Sequence, residues 1–182
     1  MSFRGGLCPT WESHKEEKIV TPPNDRSKGL RSMDRKLFRF YTSNVEAVIQ
    51  DNGNTLMISD FRFDRWYYRD GDPDNCSCSV YVKSGFFTGM GILRFNINDF
   101  QCFINELRGI DELTRTSSSL FDPYDDEKCI EFQANKLGKL QIKGYFTDTA
   151  DEFALRFALE TDITVIRPFR QQLEQMINNL KL

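Results

Sequence analysis

Acidic side chains form the densest groups of chemically active residues in this 182-residue sequence, in two segments at residues 70–75 and 122–127. Carboxylates that converge in a fold can bind a cation or act as an acid–base pair. A calcium-binding EF-hand loop needs glycine at its sixth position and glutamate at its twelfth, and neither segment has this order. Both segments contain turn-forming residues, so we predict solvated acidic loops. The functional alternative is a docking surface made of Asp70, Asp72, Asp74, Asp125, Asp126 and Glu127.

Nucleophilic catalysis and metal binding have little support in the sequence. A catalytic serine or cysteine needs a nearby base, and the sole histidine, His14, lies in a segment without apolar periodicity. Cys76 and Cys78 are separated by one residue, which matches no zinc-binding spacing. We therefore expect no catalytic residues, no metal and no cofactor, and we interpret the five cysteines as reduced, mostly buried thiols. A hydrolase that uses carboxylates is the enzyme alternative.

An aromatic group at residues 65–69, with the sequence RWYYR, is a second candidate recognition element. Neighbouring side chains of a strand point to opposite faces, so at least one of the three aromatic residues should reach the surface. Trp, Tyr and Arg are enriched among the residues that contribute most to protein binding. We predict a partner-binding role for Trp66, Tyr67 and Tyr68; alternatively, Trp66 and Tyr68 cover the edge of the core.

The charge distribution favours a protein partner over nucleic acid. Residues 1–36 carry a net charge of +3, and residues 37–182 carry −6. An acidic body opposes binding to a phosphate backbone and suits a basic protein surface. The sequence has no apolar run of about 20 residues and no apolar signal segment at its start, so we expect a cytoplasmic protein without a membrane partner.

Hydrophobic periodicity predicts the fold class. Residues 1–36 are rich in Gly, Pro and charge, so we expect a flexible or peripheral tail, followed by a single domain at 37–182. Alternating apolar residues indicate strands joined by short turns, among them the hairpin turn Asn52-Gly53. Helical spacing follows twice, near residues 98–108 and 164–180. We predict an α+β domain with a curved, mainly antiparallel sheet of about seven strands and two helices. The order is strands, helix, three strands, helix, a loose repeat.

The C-terminal half contains a recognisable series of motifs. Gly85-Phe86-Phe87 opens a strand, and Asn98-Asp99-Phe100 opens a helix that continues through Phe103 and Leu107. The strand LQIKG at 140–144 comes next, then LRFALETDIT at 155–164, Pro168-Phe169 and Leu173. This series resembles the WapI-like immunity proteins. The order of strands and helices also resembles the Whirly fold, which occurs in single-strand nucleic-acid binders and in some contact-dependent inhibition immunity proteins.

The resemblance implies a bacterial, non-enzymatic protein of contact-dependent growth inhibition. Such a protein binds a cognate toxin domain delivered by a neighbouring cell, often a basic nuclease, and blocks its activity. A single-stranded nucleic-acid binder of Whirly type is the alternative from another class. A basic sheet face with stacked aromatic side chains would favour that alternative, and converging carboxylates in a concave pocket would favour the hydrolase.

Overall fold

A computed structural model of the protein describes residues 40–147 and 154–180, all within the compact unit Asp34–Leu182. The predicted tail at 1–36 lies outside the described residues and stays a prediction. The first strands and the short helix are β1 (Phe40–Ser43), β2 (Ala47–Asp51), β3 (Asn54–Asp64), α1 (Arg65–Arg69), β4 (Cys76–Ser84) and β5 (Phe87–Phe95). The remaining elements are α2 (Ile97–Asp111), β6 (Ser117–Asp122), β7 (Asp125–Ala134), β8 (Lys139–Thr147), β9 (Ala154–Asp162) and α3 (Ile166–Asn178).

The predicted α+β class is confirmed, and the described strands form two antiparallel sheets. In the first sheet β1 and β2 both pair with β3, and β4 and β5 follow in order. The second sheet has the order β6-β7-β8-β9. Each sheet is followed along the chain by a long helix, α2 or α3, which is the predicted repeat of strands and helix. The described part has nine strands rather than the predicted seven or so, and the two additional strands, β1 and β6, are too short for alternation alone to distinguish them from loops.

Local turn chemistry explains the path of the first sheet. Asn52 and Gly53 both have positive φ, at 49° and 80°, which matches the tight turn that joins twisted antiparallel strands. The pairing of β3 with β4 shifts register between Ser59 and Arg62, and Asp60 has a φ of 51°. The sequence predicts a β-bulge here, because the apolar positions change parity from Leu56 and Ile58 to Phe61 and Phe63, and the register shift confirms it. Because it adds a residue to β3, Ile58 and Phe61 both point into the core.

A series of aromatic side chains connects the two sheets through α2. The ring centroids of Phe95 and Phe100 lie 4.9 Å apart, and those of Phe100 and Phe103 lie 6.3 Å apart. Phe103 is 5.6 Å from Phe132 in the second sheet, and Phe132 is 5.7 Å from Phe169 in α3. All five side chains are buried. Such ring pairs add about 0.5–1.5 kcal/mol each beyond the burial of their surface, so this series fixes α2 against both sheets.

Two glycines in β5 bring the second sheet close to the first. A Cβ atom at Gly91 would lie 2.6 Å from Cγ of Phe146, and one at Gly89 would lie 2.6 Å from a methyl group of Leu155. Side chains of β8 and β9 therefore occupy the space next to these glycines. Glycines inside a strand indicate either a bend or a close approach to the backbone, and at these two positions Phe146 and Leu155 make such an approach.

Several local predictions differ from the structure. The segment Arg65–Arg69 is a short helix, not the end of a strand, because the chain must turn between β3 and β4. Residues 117–122 form β6, where the sequence predicts the end of a polar connection at 111–119 and the start of the second acidic loop. The spacing of Asn98 and Gln101 predicts Asn98 as the N-cap, whereas α2 is capped by Asn96, whose side chain accepts a hydrogen bond from the Asn98 amide. The sequence predicts Thr164 as the N-cap of the last helix, whereas Asp162 caps the 3-10 turn that precedes α3 and accepts a hydrogen bond from the Thr164 amide.

Among the described residues, no helix is long and apolar enough to cross a membrane.

Candidate partner-binding surface

The two acidic segments of the sequence meet in the structure. The hydroxyl of Tyr124 donates a hydrogen bond to Oδ1 of Asp72 at 2.9 Å. The guanidinium of Arg94 lies between the segments, 3.5 Å from a carboxylate oxygen of Asp74 and 3.1 Å from one of Asp122. We call these five residues the acidic cluster. It joins the loop before β4, the end of β5 and the turn between β6 and β7.

The first acidic loop is held in place by Asn75, which is buried. Its side-chain oxygen accepts a hydrogen bond from the Ile97 amide at 2.8 Å, at the start of α2. Its carbonyl accepts one from the Asp64 amide at 2.8 Å. Oδ1 of Asp72 accepts the amide of Asp74 at 2.9 Å, so the loop also closes on itself. These bonds fix the carboxylates relative to the core.

Asp122 fixes the second acidic segment through hydrogen bonds of its buried side chain. Its side chain is 1% exposed and receives two hydrogen bonds from Arg94, at 3.1 and 3.4 Å. It also accepts the amide of Tyr124 at 3.0 Å, which shapes the turn between β6 and β7. The Arg94 guanidinium lies 5.6 Å from the centre of the Tyr124 ring. Asp122 is therefore a buried structural carboxylate, and Tyr124, at 60% exposure, is the part of this turn that faces solvent.

Two groups of the acidic cluster have shifted pKa values. Burial raises the pKa of Asp74; Arg94 opposes this rise, and the carboxylates of Asp122 and Asp72 add to it. The hydrogen bond to Asp72 is the main cause of a raised pKa of Tyr124. The ionised form of Asp74 is thus disfavoured even though an arginine lies beside it. The cluster has more carboxylate than its own cation neutralises.

The other predicted acidic residues have different positions. Asp70 is exposed in the first loop. Asp125 and Glu127 lie at the start of β7, where the sequence predicts a loop, because strand pairing resumes directly after the two-residue turn. Asp125 is partly exposed and lies 3.4 Å from the ammonium group of Lys128. Glu127 is exposed, and the side chain of Asp126 lies outside the described residues.

The aromatic segment lies next to the first acidic loop. The carbonyl of Tyr67 accepts a hydrogen bond from the Asp72 amide at 2.9 Å, so the end of α1 leads directly into the cluster. The rings of Tyr67 and Tyr68 are each about half exposed. Tyr68 lies 5.7 Å from the buried ring of Phe63 and therefore covers the core edge, as the alternative interpretation predicts. The side chain of Trp66 lies outside the described residues.

The described residues offer little for catalysis. No group of three or more His, Cys, Asp or Glu side chains among them is arranged to hold a metal ion. Cys76 and Cys78 are buried, and burial raises the pKa of both thiols, that of Cys78 to about 12. A thiol with a raised pKa is a poor nucleophile. The acidic cluster can attract and hydrogen-bond a cationic surface, and its only internal cation is already shared between two carboxylates.

Sequence patterns indicated the acidic loops and the tyrosines, but not the residues that join them. From the sequence alone, Arg94 is an ordinary exposed strand residue, and Asn75 is a residue of a turn. Asp122 was part of the predicted acidic loop without a separate role. Only the tertiary arrangement reveals that these three residues position the surface.

Comparison with known proteins identifies a family. A family model described as the immunity protein WapI-like family matches residues 48–181, most of the chain. No curated protein matches the chain. Among solved structures, the crystal structures of MRP1/MRP2 from Trypanosoma bruciei are similar at a TM-score of 0.43 with 12% identity, covering 73% of this chain and 82% of that chain.

Proposed function

Because the chain belongs to the immunity protein WapI-like family, we propose that it binds a cognate toxin domain and thereby neutralises it. Membership of this family supports an immunity role, implies a toxin partner and indicates a non-enzymatic mode of action. The finer proposal is that the toxin is a nuclease with a basic active cleft. The protein would then work by occupying that cleft or its rim.

The convergence of the two acidic segments is the observation that carries the nuclease proposal. A nuclease must attract phosphate, so the surface around its active site is expected to be cationic. The acidic cluster, with exposed Asp70 and Glu127 nearby, offers a complementary surface. Such complementarity mainly accelerates association. The half-exposed ring of Tyr67 supplies apolar contact area beside these charges, which slows dissociation.

The experiment is a neutralisation assay with the toxin domain encoded by the neighbouring gene. The domain is expressed from a tightly regulated promoter with or without this protein, and growth and nucleic-acid integrity are followed. Restored growth together with a stable complex of the purified proteins supports the proposal. Growth arrest that persists while both proteins are folded and present would contradict it.

The outer face of the second sheet does not support the alternative of nucleic-acid binding. Tyr145 and Arg156 are stacked there, with the guanidinium 4.4 Å from the ring centre. However, the same face carries Glu131 and Glu160 as well as Lys143, because these residues share the outward orientation in the strand register. The charges are balanced, whereas a phosphate backbone requires an excess of cations.

A further inference from the structure

Strand β5 forms one edge of the first sheet. Among the residues that the structure describes, it pairs with β4 alone. The two strands are joined by the two-residue turn Gly85-Phe86, and Ser84 pairs with Phe87 across it. A two-residue turn closes on a hydrogen-bonded pair, and such pairs alternate with non-bonded pairs along the ladder. The backbone groups of Gly89 and Gly91 therefore bond to β4.

The residues between them have the opposite orientation. The N–H and C=O groups of Thr88, Met90, Ile92 and Arg94 point away from β4, toward the free edge. A strand edge with unpaired backbone groups is a template for another strand, and most proteins protect such edges with charge, proline or a covering loop. Here the central side chains are apolar and exposed, Met90 at 70% and Ile92 at 63%. Among the residues that the structure describes, none pairs with or charges the middle part of this edge.

A groove of about 830 Å³ runs along this edge. Residues from both faces of β5 line it, including Gly91 and Ile92, which places the groove beside the strand rather than over one face. Phe146 and Leu155, on β8 and β9, form an apolar wall opposite. The volume lies within the range of sites that enclose a ligand. The groove thus combines free backbone groups with apolar contact area, the two requirements for holding an extended segment.

Charge distinguishes the two ends of the groove. At the C-terminal end of β5 the lining includes Arg94, Asp122, Tyr124, Asp125 and Lys128. The other carboxylates of the acidic cluster are bonded to two of these residues, so this end continues into the acidic cluster. Four carboxylates there face two cations. An incoming segment is therefore best matched if it carries a basic side chain at this end.

We propose that β5 is the docking edge for the toxin, and that an extended toxin segment adds to the first sheet in this groove with a basic residue against the acidic cluster. This inference rests on the proposed toxin-binding function. A second copy of the chain fits less well, because β5 pairing with itself about a two-fold axis is antiparallel. That arrangement would place each acidic end near the apolar Phe87 end of the other strand, where the nearest cation in the strand register, Lys83, lies on β4 and not on the pairing strand.

Backbone hydrogen exchange tests the proposal in the unmodified protein. Exchange is measured by NMR for the protein alone and in complex with the inactivated toxin domain of the neighbouring gene. In the free protein the amides of Met90 and Ile92 should exchange quickly, and those of Gly89 and Gly91 slowly. In the complex the first pair should slow by roughly tenfold or more, because each amide gains a strand hydrogen bond. The glycines provide an internal reference within the same strand.

A proline variant provides a second test. Met90→Pro removes one outward N–H group without removing a bond to β4, and prolines are tolerated at such edge positions. The matched variant Met90→Ala loses the same side chain but keeps the N–H group. Met90→Pro should weaken toxin binding roughly tenfold more than Met90→Ala. Thermal melts of both variants establish that they are folded.

The outcomes separate this proposal from the proposed function. A complex that forms without slower exchange at Met90 and Ile92, or equal binding by the two variants, overturns the docking edge and leaves toxin neutralisation intact. Slow exchange at these amides in the protein alone, together with dimerisation, assigns the edge to a second copy and also overturns it. If no complex forms with the toxin domain, both proposals fail.

Discussion

Tyr124 and Asp72 lie 52 positions apart in the chain, yet the tyrosine hydroxyl donates a 2.9 Å hydrogen bond to the aspartate. One residue belongs to the turn between β6 and β7, and the other to the loop that precedes β4. The bond therefore links the two sheets at the acidic end of β5. Because the hydroxyl donates this bond, Asp72 fixes the position of the Tyr124 ring at the surface, beside the carboxylates.

Reversing exposed charges near the acidic cluster should slow toxin association. Asp70→Lys and Glu127→Lys each change the net charge by two units at a solvent-facing position. We expect a lower on-rate and a weaker dependence of that rate on salt, since steering is electrostatic. Stopped-flow measurements at several salt concentrations test this.

Glu160→Lys is the matched control for these variants, because it makes the same charge change on the exposed outer face of β9. It should alter the on-rate much less than either variant near the cluster. Equal effects of all three substitutions would mean that only the net charge matters and that the interface is elsewhere.

Tyr67 and Tyr68 should differ when each is replaced by alanine. Tyr68 packs 5.7 Å from the buried ring of Phe63, so Tyr68→Ala should lower the free energy of unfolding by about 1 kcal/mol. Tyr67→Ala should instead raise the dissociation rate of the toxin complex, with a smaller effect on stability. Urea unfolding and surface plasmon resonance measure the two effects. The separate roles are refuted if Tyr67→Ala leaves dissociation unchanged.

Arg94→Ala should destabilise the protein more than its surface position suggests. Asp122 is 1% exposed and loses two hydrogen bonds, so its carboxylate is left buried without its cation. We expect a loss of about 2 kcal/mol, below the usual cost for a fully buried pair because Arg94 is itself 43% exposed. Urea unfolding measures the loss, and a change within error would show that water replaces the guanidinium.

Asp74→Asn should raise the free energy of unfolding at pH values above the pKa of Asp74, whereas Arg94→Ala should lower it. The two differ although Asp74 also contacts Arg94. Burial raises the pKa of Asp74, so the folded state binds its proton more tightly than the unfolded state does. The resulting stability is present below the ordinary pKa and is lost as the pH rises through the raised pKa. The asparagine variant should therefore lack this decline, which unfolding curves at several pH values near and above 4 would detect. An unchanged pH profile would contradict the assignment.

The sequence predicts individual elements of this fold better than their assembly. Alternation along β9 and the Asn52-Gly53 turn are local signals, and both elements form where the pattern places them. A short strand such as β6 has too little periodicity, because Ser117, Ser118 and Ser119 suit a loop equally well. Its strand conformation depends on pairing with β7, a contact that sequence periodicity does not encode.

For the candidate surface, too, the sequence predicts the separate parts but not their assembly. Each acidic loop is visible in the sequence as a group of carboxylates with turn residues. Their meeting depends on α2, which returns the chain from β5 to β6 and so brings Asp122 beside Arg94. The family resemblance in the C-terminal half predicted the immunity family, and the match over residues 48–181 confirms it.

Gly91→Ala should cost more stability than Gly89→Ala, although both glycines lie on the same face of β5. At Gly91 the new methyl group would meet Cγ and Cβ of Phe146, at 2.6 and 2.7 Å. The Cβ atom of Phe146 is fixed by the backbone of β8 and cannot move without it, so rotation of the side chain cannot remove this contact. At Gly89 the nearest atoms are the two terminal methyl carbons of Leu155, which a rotamer change can displace.

We expect a loss of about 2–3 kcal/mol for Gly91→Ala and about 1 kcal/mol for Gly89→Ala, from the usual cost of overpacking. In a Phe146→Ala background Gly91→Ala should cost less, because the ring that the new methyl group would meet is absent, although Phe146→Ala is itself destabilising. Urea unfolding of Gly91→Ala, Phe146→Ala and the double variant gives the coupling energy between the two positions. If the two glycine variants are equally stable, or if the double variant shows no coupling, then contact with Phe146 is not what requires glycine at position 91.

Single-stranded nucleic acid should not bind this protein appreciably at physiological salt. The chain from residue 37 onward carries a net charge of −6, and the outer face of the second sheet has balanced charges. Backbone binding gains its free energy from cations that displace counterions, so an acidic body without a basic stripe gains little. Fluorescence anisotropy with labelled single-stranded DNA and RNA, at 50 and 150 mM salt, measures this directly.

A dissociation constant below about 1 μM at the higher salt, with a steep salt dependence, would place the nucleic-acid function ahead of toxin neutralisation. Deleting residues 1–36, which carry +3, is the matching variant, because any weak binding through that segment should disappear with it.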